Sequence, residues 1–208
     1  GLDIISSHTN ASRNVEDPNV TLAAWWKIFD DHKDMGCKYV VLPMNFWSNN
    51  AEGLKAECDL MNKIGDEANK RGLKFGYHNH DFEFSQKLND KKLLDIMMTS
   101  IDPDLVVIQL DTGNLYSGGG VALDVVNQYP GRFENLHVKD VIRTTGENEG
   151  YESCVLEEGI VNIKEVTDLA TKTGGTKVYI VEQESYQGRT PMECIKLDLE
   201  VMKKWGYA

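Results

Sequence analysis

Short apolar runs alternate with longer stretches of helical periodicity along this chain. The apolar runs are rich in Val and Ile, as is typical of strands covered on both faces; they span residues 2–7, 38–42, 73–77, 105–110, 133–138 and 177–181. Apolar residues recur every three or four positions in six further segments, which predicts amphipathic helices over residues 21–35, 51–70, 91–99, 123–128, 163–173 and 191–205. This order predicts a parallel α/β sheet with right-handed crossovers.

Such a sheet is either open or closed into a barrel. No glycine-rich phosphate-binding fingerprint follows an early strand, and the glycines at 118–120 are more typical of a loop. Acids and bases at many strand ends favour a barrel, because an open sheet places its site at one switch point. We therefore expect a single (β/α)8 TIM-barrel-like domain over residues 1–208. A complete barrel of this class needs about 250 residues, so we expect the N-terminal βα unit or units to be missing from this chain.

Composition and charge narrow the function classes. The 208 residues include 22 Lys and Arg against 33 Asp and Glu, a formal net charge of −11. A protein that binds a phosphate backbone needs the opposite sign, so nucleic acid is not an expected partner. The four cysteines are scattered without a C-x-x-C pair, which favours buried thiols. No apolar run is long enough for a membrane span. We expect a soluble protein whose compartment the sequence does not determine, and a homo-oligomer remains open.

The densest group of candidate site residues follows the third predicted strand. His78 and His80 alternate onto the same side of the chain, and Glu83 comes three residues later. Two imidazoles beside a carboxylate suit a metal ion, a polyol or proton transfer near neutral pH. The simpler alternative is a strand capped by hydrogen-bonded histidines. His8 ends the first predicted strand, and we expect it to bind substrate.

Three further strand ends carry acids and bases. Asp111 ends an apolar run, although an Asp there also suits the cap of a turn. His137 and Lys139 alternate onto one face after the next strand, and Asp140 either orients one of them or begins a loop. Glu182 ends the last predicted strand. Together with the carboxylate of the previous motif, these side chains form an oxygen-rich mixed set. Such a set suits one divalent ion of Mn, Mg, Co or Zn rather than a soft, thiolate-bound metal.

Aromatic side chains near strand ends are suitable packing surfaces for sugar rings. Trp47 and Tyr186 lie shortly after predicted strands, and we expect both to bind substrate. Trp25 and Trp26 fall in the first predicted helix and are expected in the core. His32 falls in the same helix and is expected at its surface.

Four motifs together carry a family resemblance that runs from the first strand to the C-terminus. They are GYHNHDFEF at 76–84, LDTGN at 110–114, LHVKD at 136–140 and IVEQE at 180–184. In this order and at these intervals they resemble the sugar phosphate isomerase/epimerase group of xylose isomerase-like TIM barrels. The resemblance implies one divalent metal ion held by Glu83, Asp111, His137 and Glu182. Asn114 stands where many relatives have His; it is a poor metal ligand, and we expect it to bind substrate.

The resemblance implies an enzyme that acts on a small carbohydrate: a sugar, keto-sugar or sugar phosphate. The leading hypothesis is a metal-dependent isomerase or epimerase that works through a metal-stabilised enediolate, with Glu83 and Glu182 moving the proton. His78, His80 and Lys139 would bind hydroxyls, stabilise the enediolate or serve as the acid. One alternative is a lyase, such as an inosose dehydratase, or a hydrolase that uses the same metal site, with His80 or Lys139 as the acid. A second alternative is a sugar-binding barrel without catalysis.

Overall fold

The computed structural model of the chain describes residues 1–11, 13–145 and 150–208. Its strands are β1 (Ser6–His8), β2 (Tyr39–Leu42), β3 (Lys74–His78), β4 (Lys87–Leu88), β5 (Lys91–Lys92), β6 (Val106–Asp111), β7 (Asn135–Val138), β8 (Asp140–Arg143), β9 (Tyr151–Cys154) and β10 (Val178–Val181). Its α-helices are α1 (Pro18–Asp34), α2 (Ala51–Asn69), α3 (Phe82–Ser85), α4 (Leu93–Ser100), α5 (Thr112–Ser117), α6 (Ala122–Gln128), α7 (Ile163–Leu169) and α8 (Pro191–Trp205).

All six predicted strands and all six predicted helices are present, so the predicted α/β alternation is confirmed. The predicted boundary at the N-terminus is wrong, because the strand begins at Ser6 and not at residue 2. Leu2 is 99% exposed and Ile4 is 46% exposed, so the first apolar residues do not enter the core. At the other end of the chain, α8 begins at Pro191 as predicted, and Thr190 closes a capping box with Glu193.

The chain folds into two compact units, and the first comprises residues 1–79 and 86–108. Its strands are parallel and lie in the order β1-β2-β3-β6, with Ser6 beside Tyr39 and Tyr39 beside Lys74. Rings of Trp25, Phe29 and Phe75 pack at centroid distances of 5.2 to 6.5 Å and form the centre of its core. Buried aromatic rings of this size dominate the energetics of a core.

Two predictions about α1 are wrong. Trp25 is fully buried, but Trp26 is 42% exposed and lies against the guanidinium of Arg71. His32 was expected at the surface and is buried. Its ring nitrogens lie 3.1 Å from the hydroxyl of Thr9 and 2.7 Å from the carbonyl of Ile28. Helical spacing identifies residues that share a face, and packing decides which face turns inward.

The second unit comprises residues 80–85 and 109–208. Here the end of β6, β7 and β10 form parallel pairs, with Gln109 beside Asn135 and Asn135 beside Val178. The helix predicted over residues 163–173 is α-helical only to Leu169 and continues as a π-helical turn, Ala170–Gly174. Gly175 then ends it with a positive φ of 81°. The expectation of one domain over residues 1–208 stays a prediction.

The elements that the sequence analysis missed are short. They are the helices α3 and α5 and two antiparallel hairpins, β4 with β5 and β8 with β9. In the first hairpin Asn89 and Asp90 both have positive φ, as a tight two-residue turn between strands requires. Glycines 118–120 follow α5 in a turn, as expected. All four cysteines are free and buried. Within the described residues, none of the helices has both the length and the apolar character that crossing a membrane requires.

Candidate active site

The LDTGN motif joins the end of β6 to the start of α5. Asp111 is fully buried, and its Oδ1 accepts the N–H of Asn114 at 2.7 Å, which caps the helix. The hydroxyl of Thr112 lies 3.1 Å from the carbonyl of His137 and 2.8 Å from that of Lys139, and it accepts the N–H of Lys139 at 3.0 Å. These bonds tie the ends of β6 and β7 together and fix the neighbouring functional side chains.

Gly113 leaves room for the side chain of Lys139. A Cβ at this position would lie 2.7 Å from Lys139 Cγ and 3.0 Å from Val141 Cγ1, closer than carbon atoms pack. The glycine of the motif therefore determines where the lysine stem runs.

Three of the four predicted metal ligands converge in the second unit. Asp111 lies beside His137 in the register of β6 with β7, and Glu182 directly follows β10. One donor atom from each of the three lies within 4.8 Å of the donor atoms of the others. His137 Nδ1 is also hydrogen-bonded to Glu182 Oε2. One imidazole and two carboxylates fit a divalent first-row metal or Mg²⁺ better than a soft metal.

The structure places Glu83 differently. Its buried carboxylate accepts the N–H of His80 at 2.8 Å, within the turn that begins α3. Among the residues with described positions, it does not join the group formed by Asp111 and its two neighbours. The ligand role of Glu83 stays a prediction. The His80 ring stacks on Phe82 at 5.7 Å, and burial lowers the pKa of this histidine.

Lys139 is buried among oxygen atoms. Its Nζ lies 2.5 Å from Glu184 Oε2 and 3.3 Å from Asn114 Oδ1. The same nitrogen lies 3.7 Å from Asp111 Oδ2 and 3.8 Å from Glu182 Oε1. Burial alone would lower the pKa of Lys139, but the surrounding carboxylates raise it above its ordinary value. Lys139 is therefore an ammonium group, a hydrogen-bond donor and a potential acid.

The pKa of Asp111 is raised as well, which for a carboxyl group favours the uncharged form. Burial raises its pKa to about 8, the Lys139 ammonium opposes that rise, and the charge of Glu182 adds to it. A carboxyl group that holds a proton near neutral pH releases that proton to solvent when a metal cation binds in its place. Perturbed groups of this kind, close together at strand ends, are typical of functional sites.

A cavity of about 350 Å³ adjoins this cluster. It is lined by Asp81, Asn114, Ser117, Lys139, Val141, Tyr151, Glu152, Ser153, Glu184 and Ser185. The Ser153 hydroxyl accepts the backbone N–H groups of Glu184, at 2.7 Å, and Ser185, at 2.9 Å, which holds the segment after β10 against β9.

Sequence reasoning missed the role of the β8–β9 hairpin in this wall and the pairing of Glu184 with Lys139. The residues of β9 carry no motif, and the sequence gives no sign that they face a strand end. Glu184, in contrast, stands inside the IVEQE motif, where its acidic side chain was a visible signal.

The other predicted substrate-binding residues have these surroundings. In the first unit, the rings of His8 and His78 meet edge to face at 4.8 Å. Trp47 donates its indole N–H to the hydroxyl of Tyr77 at 3.2 Å. In the second unit, Tyr186 is half-buried and is not among the cavity residues. The substrate-binding roles of these residues stay predictions.

Comparison with known proteins identifies the class. Residues 1–205 match the family model described as Xylose isomerase-like TIM barrel. The chain belongs to the xylose isomerase-like TIM barrel family, and both the predicted family and the predicted fold class are confirmed.

The similar proteins are named for more than one activity. The chain is 29% identical over 116 residues to an inosose dehydratase of Lacticaseibacillus casei, a match that covers 56% of this chain and 36% of that protein. It therefore spans about a third of that relative's length. A sugar phosphate isomerase/epimerase from Parabacteroides distasonis superposes with a TM-score of 0.84 at 27% identity, covering 98% of this chain and 71% of that one. A family protein from Mycobacterium smegmatis in complex with magnesium has a TM-score of 0.70 at 18% identity, covering 100% of this chain and 74% of that one.

Proposed function

We propose that this protein is a divalent-metal-dependent isomerase or epimerase that moves a proton next to the carbonyl group of a sugar or keto-sugar. The observation that carries the proposal is the group formed by Asp111, His137 and Glu182 with the Lys139 ammonium beside it, at the edge of a cavity. The isomerase/epimerase from Parabacteroides distasonis, which covers nearly the whole chain, supports this reaction class.

Asp111, His137 and Glu182 would hold the metal ion, with Glu83 as the predicted fourth ligand. Such an ion polarises a carbonyl group and lowers the pKa of the neighbouring C–H bond. Mn²⁺, Mg²⁺, Co²⁺ and Zn²⁺ all suit this donor set. The magnesium complex of the protein from Mycobacterium smegmatis supports a divalent ion in this fold.

One side chain of the protein would then transfer the proton, and two others would hold the substrate. Glu182 is the proposed base, because its carboxylate is partly exposed, with 27% of its side chain accessible. Returning the proton to the other face of the same carbon gives an epimer, and returning it to the adjacent carbon gives an isomer. Lys139 and Asn114 would donate hydrogen bonds to substrate oxygens and fix the reacting carbon near Glu182.

A specific observation also favours a dehydratase as the second candidate. The Lys139 ammonium lies 3.8 Å from Glu182 Oε1, so one base and one acid stand side by side. In that reaction Glu182 takes the proton from carbon, and Lys139 gives a proton to the hydroxyl group on the next carbon, which leaves as water. The inosose dehydratase of Lacticaseibacillus casei supports this candidate.

Incubation in D₂O with Mn²⁺ separates these reactions. A panel of ketoses and cyclic polyol ketones is followed by NMR and mass spectrometry, with EDTA-treated protein as the control. Deuterium uptake with no loss of water supports the isomerase or epimerase, and loss of water supports the dehydratase. A panel without metal-dependent deuterium uptake or water loss would overturn both.

A further inference from the structure

The charges around the cavity of the second unit are mostly negative. Asp81, Glu152 and Glu184 line it with carboxylates, whereas Lys139 is the only cationic residue among the described residues that line it. Its remaining polar groups include the amide of Asn114 and serine hydroxyl groups. The wall therefore offers many hydrogen-bond acceptors and little positive charge.

The Lys139 ammonium is already engaged by the protein. It bonds to Glu184 at 2.5 Å and to Asn114 at 3.3 Å, and its positive charge faces Asp111 at 3.7 Å. An ammonium group has three N–H donors. A phosphate dianion in the cavity would have to compete with these carboxylates for the one cationic side chain among the described lining residues, and it would meet like charges on Asp81 and Glu152.

An aromatic ring forms another part of the wall. Tyr151 lines the cavity, and its ring meets that of Tyr116 edge to face at 5.7 Å. The guanidinium of Arg143 lies 5.4 Å from the centre of the Tyr151 ring. Arg143 is therefore a second cationic side chain beside this wall and the alternative group to bind an anion. The ring itself suits the apolar C–H face of a sugar, while the surrounding acceptors suit its hydroxyl groups.

We infer that the substrate of this site is an uncharged, non-phosphorylated polyhydroxy ketone. The inference rests on the proposed function and deepens it by excluding sugar phosphates. It depends on the charge of the cavity, which is measurable without any turnover, so its failure and the failure of the proposed reaction are distinguishable.

A cysteine probe measures the charge of the cavity directly. Ser117 lines the cavity and is half-buried, and Ser117→Cys changes one atom; the four native cysteines are buried. The Mg²⁺-loaded variant is labelled with two methanethiosulfonates of similar size, one bearing trimethylammonium and one bearing sulfonate. Each rate is divided by the rate of the same reagent at Asn127→Cys, an exposed position of the second unit. Wild-type protein gives the background, and thermal melting confirms that each variant is folded.

We expect the cationic reagent to be favoured by about tenfold at Ser117→Cys, because a cleft lined by one sign of charge concentrates the opposite ion. Adding Glu152→Gln should reduce that preference by about twofold to threefold. Equal rates, or a faster reaction with sulfonate, would overturn the inference. A preference that Glu152→Gln leaves unchanged would also overturn it.

Inorganic phosphate provides the second arm. The Mg²⁺-loaded Ser117→Cys protein is labelled with uncharged methyl methanethiosulfonate, with and without phosphate at about 10 mM, which would occupy a millimolar site. Sodium chloride matches the ionic strength. An unchanged rate supports the inference, whereas protection by phosphate overturns it. If Arg143→Gln removes that protection, the anion site is located at Arg143.

Discussion

Asp111 and Asp140 are both buried carboxylates of the second unit, but the groups around them differ in kind. Both oxygens of Asp140 accept backbone N–H groups, which belong to Val141, Glu157, Gly159 and Val161. Asp111 accepts the N–H of Asn114 through one oxygen, and its other oxygen lies 3.7 Å from the Lys139 ammonium. Burial raises the pKa of both aspartates, and at Asp140 the four N–H groups oppose that rise.

The two sets of partners suit different roles, a structural one for Asp140 and an exchange of protons or metal ions for Asp111. Backbone donors cannot give up or take protons at ordinary pH, so Asp140 fixes the loop after β9 against β8. Gly159 shows how tightly that loop is held, because a Cβ there would overlap the Asp140 carboxylate. Asp111 is surrounded by side chains that ionise, and such partners allow a proton or a metal ion to be exchanged.

Among the residues near Asp111, Glu182 should lower the turnover most when it is changed, in the variant Glu182→Gln. Metal-dependent turnover should fall by about a thousandfold or more, because the amide neither takes a proton nor binds a cation well. The fold should be intact, with an unchanged circular dichroism spectrum. Single-turnover deuterium exchange on the substrate found in the D₂O panel measures the loss.

Glu184→Gln is the matched control for that variant. It removes a carboxylate that also contacts Lys139 but does not belong to the group around Asp111. Its loss should be about tenfold or less, as expected for a partly exposed ion pair. Full activity of Glu182→Gln would remove the proposed base from the mechanism.

The substitutions Asp140→Asn and Asp111→Asn should lower the free energy of unfolding by clearly different amounts. In Asp140→Asn the amide NH₂ faces two backbone N–H groups in either orientation, which should cost about 3 kcal/mol of unfolding free energy. Asp111→Asn keeps an acceptor for Asn114 and replaces a carboxyl group that is mostly protonated at pH 7 with a neutral amide of similar size, so its unfolding free energy should change by about 1 kcal/mol or less. Urea titrations of metal-free protein measure both. Equal destabilisation would show that Asp111 is as structural as Asp140.

Much of this fold follows from periodicity, and the site follows only in part. Strand ends in a parallel sheet meet at one edge, and Asp111, His137 and Glu182 were expected together for that reason. The direction of the Glu83 side chain does not follow from this rule, because its carboxylate accepts the N–H of His80 within a local turn, and its role as a ligand stays a prediction. Sequence spacing places the residue at the strand end and does not direct its side chain.

The residues of the cavity wall are a second part of the site that could not be predicted from the sequence. Tyr151 and Glu152 reach the site because the β8–β9 hairpin folds back beside the segment that follows β10, where Ser153 binds two backbone N–H groups. These are contacts between residues about thirty positions apart, and no local pattern encodes them. The inversion of Trp26 and His32 has a similar cause, since neighbouring elements decide which helix face is covered.

Metal affinity should depend on pH through Asp111. Its pKa of about 8 in the metal-free protein means that below pH 8 a cation must displace a proton. Affinity should therefore rise about fivefold from pH 7 to 8, and by no more than about a further twofold above pH 8. Competition of Mn²⁺ or Zn²⁺ with a chromophoric chelator measures this slope. A flat profile from pH 7 to 8 would show that Asp111 is not a ligand or is already ionised.

Asn114→Ala should give the smallest effect of these substitutions. The Asn114 side chain contacts Lys139 Nζ at 3.3 Å and lines the cavity, whereas its backbone N–H, which donates to Asp111 Oδ1, survives the substitution. The substrate KM should rise by about fivefold, the loss of one hydrogen bond, while metal affinity stays within about twofold. Steady-state kinetics and the same chelator assay measure the two quantities on one preparation. An unchanged KM would show that Asn114 does not bind the substrate. A loss of metal affinity larger than the loss of substrate binding would show that Asn114 contributes mainly to the metal site.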